Sequence, residues 1–589
     1  MKIPSATADT IRSFLRILIL EEADIGKELS ADPLGLLLRV CLNELDWYQW
    51  NLSRAETRDH SSEERAYLLC CGAARVFRLV LRDVERFSVP TITIRRDIEL
   101  STQCLSLAIH LGIIQHGRRA CDLVWAGKCD LKQTDATSYL FLLPEKLVDE
   151  AALETDITSH FAAEHSRVLQ EHFASPEGRR AEATVRDLLH ENVFIWQDHF
   201  MGYHAHSLLD EAYFAIAWNE LSTHEAFDSF NADQLFGGIR FFNYLLMTAY
   251  FNSLAIKHEA FCDAMRQKHP NIRMEDILTI SADRGPFVEE TYVALNHFGP
   301  RFGDFDAVTL EQTWMIYNVV TANRRNLDLL DISSPYLPCI VEVSDSAVVK
   351  LTSGRPHALN FLSRSLRRQY PADFDVNQRA RERSMQEAMS ELLSRAFPAF
   401  TYRQNVKIRT GKLIKSDIDY VIIDRDYGDV LICQLKFQEA YQSDFKARTS
   451  RMDRLLASCE EWLAVVNEWI TEGEAVIRSS LRLPKEMRVT RIRKLVVVRH
   501  HAHALYHAQL DEHTAFSTWP QLVNAVLYME KRQGDFRTIN GLFQLLREKI
   551  VDAPQRFHHE EDPADYCLDR LTFTIEQKTK EPHGPETES

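Results

Sequence analysis

Residues 416–437 read SDIDYVIIDRDYGDVLICQLKF, and this stretch constrains the fold more tightly than any other. Two short runs rich in Val, Ile and Leu flank a polar turn containing Asp426, Tyr427, Gly428 and Asp429, the pattern of a β-hairpin. Side chains alternate along a strand, so Asp417 and Asp419 share one face of the first run. In the second run Leu431, Cys433, Leu435 and Phe437 form an apolar face, which sends Gln434 and Lys436 together to the other. Pairing the runs can bring two acids, an amide oxygen and an ammonium to one sheet end. Such a set can hold a divalent metal ion and assist hydrolysis of a phosphodiester.

The flanking pattern extends this unit. Residues 379–397 place Met385, Met389, Leu392, Ala396 and Phe397 at helical spacing, with Pro398 closing the element. Residues 401–409 read as a strand, 452–470 as a helix with Leu455, Leu456, Trp462, Leu463, Val466 and Trp469, and 493–499 as a buried strand. The predicted order is α-β-β-β-α-β.

With Asp419 on one strand and Gln434-Leu435-Lys436 on the next, the segment resembles the PD-(D/E)xK restriction-endonuclease-like superfamily. The amide at Gln434 departs from the usual acid and is similar to the QxK form of Mrr-like restriction enzymes. The resemblance covers at most the last two-fifths of the chain. It implies an endonuclease dependent on Mg²⁺ (or Mn²⁺), with Asp419, Gln434 and Lys436 catalytic. The metal would lie on Asp419, the Gln434 side-chain oxygen and the Leu435 carbonyl, as hard oxygen ligands suit such ions. Asp417 could add charge that the neutral Gln434 does not supply. In the superfamily the first helix often adds a carboxylate; Glu382, Glu387 and Glu391 are the candidates, with Glu382 nearest the apolar side. The resemblance implies cleavage of nucleic acid, expected to be DNA, in bacterial defence against foreign DNA. Loss of the acid leaves a second reading, a catalytically silent module that binds nucleic acid or a protein. A third is a helical interaction protein with an incidental α/β domain.

The net charge of −16 argues against a nucleic-acid binder until its distribution is considered. From Arg355 to Ser416 thirteen basic residues face five acids, so this stretch carries +8 and the remainder −24. Arg364, Arg367, Arg368, Lys412 and Lys415, with Lys446 and Arg448 after the second strand, are therefore the expected phosphate contacts.

Residues 1–335 are expected to form a mainly helical accessory or recognition domain, a surface for a homo-oligomer or a regulatory partner. Helices are predicted at 10–22, 34–52, 63–86, 158–173, 181–190, 208–221 and 239–255, and strands at 91–94 and 139–143. The aromatic stretch 236–251 reads as a buried helix rather than a base-stacking surface. Residues 336–375 are expected as a hairpin and basic helical connector, 376–555 as the nuclease-like domain, and 556–589 as a partly disordered tail. The fold class is thus α+β multidomain, a helical region followed by a mixed sheet flanked by helices. No repeat, Walker A or GxGxxG motif is present.

Eleven cysteines without a CxxC pair fit free thiols in a reducing compartment. His500, His501, His503 and His507 read as a loop cluster, lacking matched metal-ligand partners. The apolar run 14–20 lacks a signal peptide's basic n-region and small-residue cleavage site, and no stretch approaches ~20 apolar residues, so a cytoplasmic protein is expected.

Overall fold

The computed structural model describes residues 4–32, 35–55, 60–83, 94–143, 176–222, 229–330, 336–410, 413–437, 445–483, 486–499, 511–531, 537–551 and 564–577. The chain is mixed α+β, with a largely helical N-terminal region and a mixed sheet in its C-terminal part. The predicted helix 158–173 and histidines 500–507 lie outside the described residues, as does the end of the chain from 578. Strand candidate 91–94 falls outside them except at Ile94.

Four helices begin the fold: α1 (Ser5–Ser30), α2 (Leu36–Arg54), α3 (His60–Asp83) and α4 (Ile98–Trp125). Helix α4 gave no sequence signal, because its buried residues include Leu107, Ala108, Leu111, Ile113 and Ile114 on several sides and leave no single apolar stripe. Helices α3 and α4 approach closely at two glycines. A Cβ at Gly72 would lie 1.7 Å from Ala108 O, and one at Gly112 2.1 Å from Leu68 O. Strands β1 (Asp130–Gln133) and β2 (Ser138–Leu143) follow and pair antiparallel.

Helix α5 (Pro176–Asn192), the hairpin β3 (Val193–Trp196) and β4 (Phe200–Tyr203), and α6 (Ser207–Ser222) lead to a short ladder, β5 (Leu235–Phe236) with β6 (Ile239–Arg240). Next comes α7 (Phe241–Lys268), the aromatic segment expected to be buried; Phe241, Phe242, Tyr244 and Phe251 all lie in a core. Strand β7 (Ile280–Asp283), α8 (Arg284–Phe302) and α9 (Leu310–Val320) precede the predicted hairpin, β8 (Ile340–Glu342) and β9 (Ala347–Lys350). β9 pairs antiparallel with both β7 and β8. Helix α10 (Ala358–Gln369) completes this part.

Residues 336–375, expected as a hairpin and basic helical connector, pack into both N-terminal cores. Val341 and Val349 are buried with α1–α4, while Ile340, Val348, Leu362, Leu366 and Phe374 are buried with α7. Their apolar side chains are needed to close the N-terminal cores.

One helix spans both parts of the chain. The first half of α11 (Pro371–Ala396) places Phe374 in the α7 core, and its second half places Met385, Met389 and Leu393 against the C-terminal sheet. That sheet has the order β10 (Thr401–Thr410), β11 (Leu413–Asp424), β12 (Asp429–Lys436), β13 (Arg491–Val498) and β14 (Thr514–Thr518). β10–β11–β12 is antiparallel and β12–β13–β14 parallel. Between β12 and β13 run α12 (Phe445–Thr471) and α13 (Glu474–Leu481). Leu455, Cys459, Trp462, Val466 and Trp469 of α12 follow steps of three and four and cover one face with Val430 and Ile432. The other face carries α11, α14 (Trp519–Lys531) and α15 (Ile539–Val551). With both faces covered, β12 is buried almost throughout, which explains its near-continuous apolar run. The hairpin turn needs Gly428, whose φ is +72° and whose Cβ would lie 2.2 Å from Arg488 O.

The region expected as a tail contains structure. Strands β15 (Ala564–Cys567) and β16 (Thr572–Gln577) pair antiparallel, and β16 runs parallel to β2. Phe573 packs edge-on to Phe14 at 5.5 Å, so this segment closes onto the N-terminal helices. All eleven cysteines are free thiols, and ten are buried. Among the described residues no helix is long and apolar enough to cross a membrane.

Candidate functional site

The β11–β12 ladder ends at Tyr420↔Cys433. Continuing the count would set Asp419 opposite Gln434, but the strands no longer pair there. Side-chain alternation also breaks at this point: Ile418 and Val421 lie in the core beneath α12, whereas Tyr420 and Ile422 face α11. Across the sheet, β10 pairs Gln404 with Tyr420 and Val406 with Ile418, omitting Asn405, whose φ is +53°. Asn tolerates this left-handed conformation better than most residues.

Asp419, half-buried, occupies the break. Its Oδ2 accepts from Leu435 N at 2.7 Å, and its Oδ1 from Gln386 Nε2 of α11 at 3.5 Å. Gln386 also donates to Asn405 Oδ1 at 3.2 Å. The carboxylate therefore takes over a hydrogen bond that the diverging strands no longer make, at the peptide joining Gln434 to Leu435. Burial and the nearby Asp419 charge push the Cys433 thiol well up.

Gln434 and Lys436 project together, as expected, and share the α12 side with Val430 and Ile432. Lys436 Nζ donates to Ser458 Oγ of α12 at 2.8 Å. Burial raises the neighbouring Cys459 thiol to about 11, against the pull of the Lys436 charge. Gln434 is buried, and its Oε1 has no hydrogen-bond partner. A buried amide oxygen without a donor is costly, and a cation would satisfy it. The strand-end geometry thus joins Asp419 to the Gln434–Lys436 triplet through the backbone, with α11 on one side and α12 on the other.

The remaining expected site residues are distributed differently. Asp417 pairs with Lys407 at 2.7 Å, and its carbonyl accepts from Trp462 Nε1 at 2.9 Å. Glu387 and Glu391 are exposed; the α11 side chain that meets Asp419 is Gln386. Glu382 lies one turn before Gln386 in the same helix. Among the described residues no group of three His, Cys, Asp or Glu side chains could hold a metal ion. The oxygen donors at this strand end are the Asp419 carboxylate, which meets Gln386 of α11, and the Gln434 amide oxygen on the α12 side. That donor set fits a hard, oxygen-seeking cation of modest affinity.

Among the described residues, Arg367, Arg368 and Lys415 have partners other than Asp419. Arg368 of α10 pairs with Asp328, and the Arg367 guanidinium lies 4.5 Å from the Phe374 ring. Phe374 to Gln386 is about 18 Å along α11 at 1.5 Å per residue. Arg364 belongs to α10, with Arg367 and Arg368. Lys415 pairs with Glu468 at 2.8 Å. Lys412 and the side chains of Lys446 and Arg448 lie outside the described residues. Nearer the site, Arg381 is buried between Phe230 and Phe437, 4.7 and 4.5 Å from the ring centroids.

Sequence reasoning missed Gln386, Asn405, Ser458 and Arg381. Asn405 carried a legible signal, a turn-favouring residue inside a strand pattern. Gln386 and Ser458 gave none, because each acquires its role from packing across the sheet.

Comparison with protein-family models, with curated proteins and with solved structures gives no match.

Proposed function

We propose that the C-terminal part is a metal-dependent nuclease of the restriction-endonuclease-like kind, hydrolysing phosphodiester bonds of DNA. The supporting observation is the break between β11 and β12, where Asp419 accepts from Leu435 N of the Gln434-Leu435-Lys436 triplet, whose Gln434 Oε1 has no partner. The mixed five-stranded sheet, covered by α11 on one face and α12 on the other, agrees with this reading. Asp419 and Gln434 would hold Mg²⁺ or Mn²⁺, which would polarise the phosphate and acidify its water when bound. Lys436, held by Ser458, supplies a fixed positive charge for the developing phosphorane oxygens. Gln386 and Asn405 orient the Asp419 carboxylate.

The test is incubation of the full chain with plasmid, linear DNA and RNA, each with Mg²⁺, Mn²⁺ or EDTA. Metal-dependent loss of intact DNA supports the reading; intact substrates in every arm refute it. A second reading, a silent nuclease-like module that binds nucleic acid or a partner, rests on the neutral amide of Gln434 at the position where the resembled superfamily usually carries an acid.

A further inference from the structure

Away from Asp419, a cavity of about 320 Å³ opens where α8, α9 and the β8–β9 hairpin meet. Arg284, Arg324 and Arg325 line it, together with Trp314. Arg284 is the first residue of α8, and its amide donates to Ser346 O of the hairpin turn at 2.7 Å. Its side chain lies 5.7 Å from the Trp314 ring centroid and 3.5 Å from Glu342 Oε1.

Arg324 and Arg325 are presented by a turn built on Asn323, which is only 1% exposed. Asn323 Oδ1 accepts from Arg325 N at 2.9 Å, and its Nδ2 donates to Asn318 O and Thr321 O, each at 3.0 Å. A fixed backbone thus carries two consecutive exposed arginines to the rim. Glu342 and Asp345 also line the cavity, so its lining holds three arginines against two acids in a protein whose net charge is −16. Burial pushes the Glu342 carboxyl up, against the pull of the Arg284 charge.

These features select a ligand chemistry. Guanidinium forks match phosphate oxygens in paired hydrogen bonds. The half-buried Trp314 offers a flat surface for an aromatic ring. The volume is at the small end of ligand pockets, roughly 300–1,000 Å³. Inorganic phosphate alone would leave the indole and most of that space uncovered.

We propose that this cavity binds a free mononucleotide, with its phosphate on Arg324 and Arg325 and its base against Trp314. The assignment does not depend on the nuclease reading. Calorimetric titration of the full chain in EDTA with AMP, GMP, CMP, UMP and inorganic phosphate tests it. The account expects saturable binding of at least one mononucleotide, with inorganic phosphate at least tenfold weaker. Replacing both exposed arginines, Arg324→Gln with Arg325→Gln, should weaken the mononucleotide at least tenfold, and Trp314→Leu should remove its advantage over phosphate. Asp419→Asn should bind it like wild type. Circular dichroism melting of each variant separates lost binding from lost folding. Absence of binding by all four nucleotides, phosphate binding as tight as the nucleotide, or undiminished binding by the folded double-arginine variant would overturn the proposal.

Discussion

Replacing Gln434 with Met separates a metal ligand from an ordinary core side chain. Gln434 is 7% exposed and its Oε1 has no partner, so without metal the amide is a buried acceptor left unsatisfied. Such a group costs about 1–3 kcal/mol, and an unbranched apolar side chain of similar length removes that cost. Allowing for imperfect repacking, Gln434→Met should gain about 1 kcal/mol in EDTA. For a cooperative unit of 150–250 residues this raises the melting temperature by roughly 2–4 °C. Manganese should do the reverse. If Gln434 is a ligand, Mn²⁺ at a hundred times its dissociation constant stabilises wild type by about 2.7 kcal/mol, and the variant loses most of that shift. Differential scanning fluorimetry over a Mn²⁺ series, for both proteins, reads both effects. A variant that melts lower than wild type in EDTA, or that keeps the full Mn²⁺ shift, refutes the reasoning.

Three further outcomes are expected. Gln434→Glu should bind Mn²⁺ more tightly in calorimetry, because a carboxylate replaces a neutral oxygen; an unchanged affinity would remove Gln434 from the ligand set. Burial alone would raise the Glu22 carboxyl, but hydrogen bonds and charge from Arg75 and Arg118 hold it down at about 2. Its folded pKa lies below the ordinary 4.5, so its stabilisation is present above about pH 4.5 and lost as pH falls through about 2. The linked stability is on the order of 3 kcal/mol, and Glu22→Gln should flatten acid unfolding over that window in a pH-dependent melting series. Finally, Arg364→Glu with Arg367→Glu and Arg368→Glu should lower the melting temperature, given the Asp328 and Phe374 contacts, while changing the salt slope of DNA binding little. A flattened slope would return these arginines to the DNA interface.

The C-terminal sheet was legible because its strands and helices are amphipathic or continuously apolar at local scale. The β11–β12 hairpin, α11 and α12 each carry their own period. Helix α4 and strands β15 and β16 were not legible, for two physical reasons. A helix buried on several sides loses its stripe, and a six-residue strand such as β16 is fixed by a partner, β2, more than four hundred residues away. At the site, Asp419, Gln434 and Lys436 could be read from alternation and resemblance. Their surroundings could not: the break in alternation at Asp419 depends on Asn405 and α11, and the Lys436 partner Ser458 comes from a helix across the sheet. A count of charges along the basic stretch does not show which face of a helix carries them.

The central claim is tested most directly by Mn²⁺-dependent plasmid cleavage, measured under single-turnover conditions for wild type, Asp419→Asn and Lys436→Ala. Asn is chosen because its amide oxygen can still accept from Leu435 N, whereas Ala would leave that donor unpaired at a cost of about 1–3 kcal/mol. The account predicts cleavage by wild type, abolished by EDTA, and a loss of at least a hundredfold in both variants with melting temperatures close to wild type. Cleavage by either folded variant at the wild-type rate, or intact plasmid with wild type at every Mn²⁺ concentration, would contradict it.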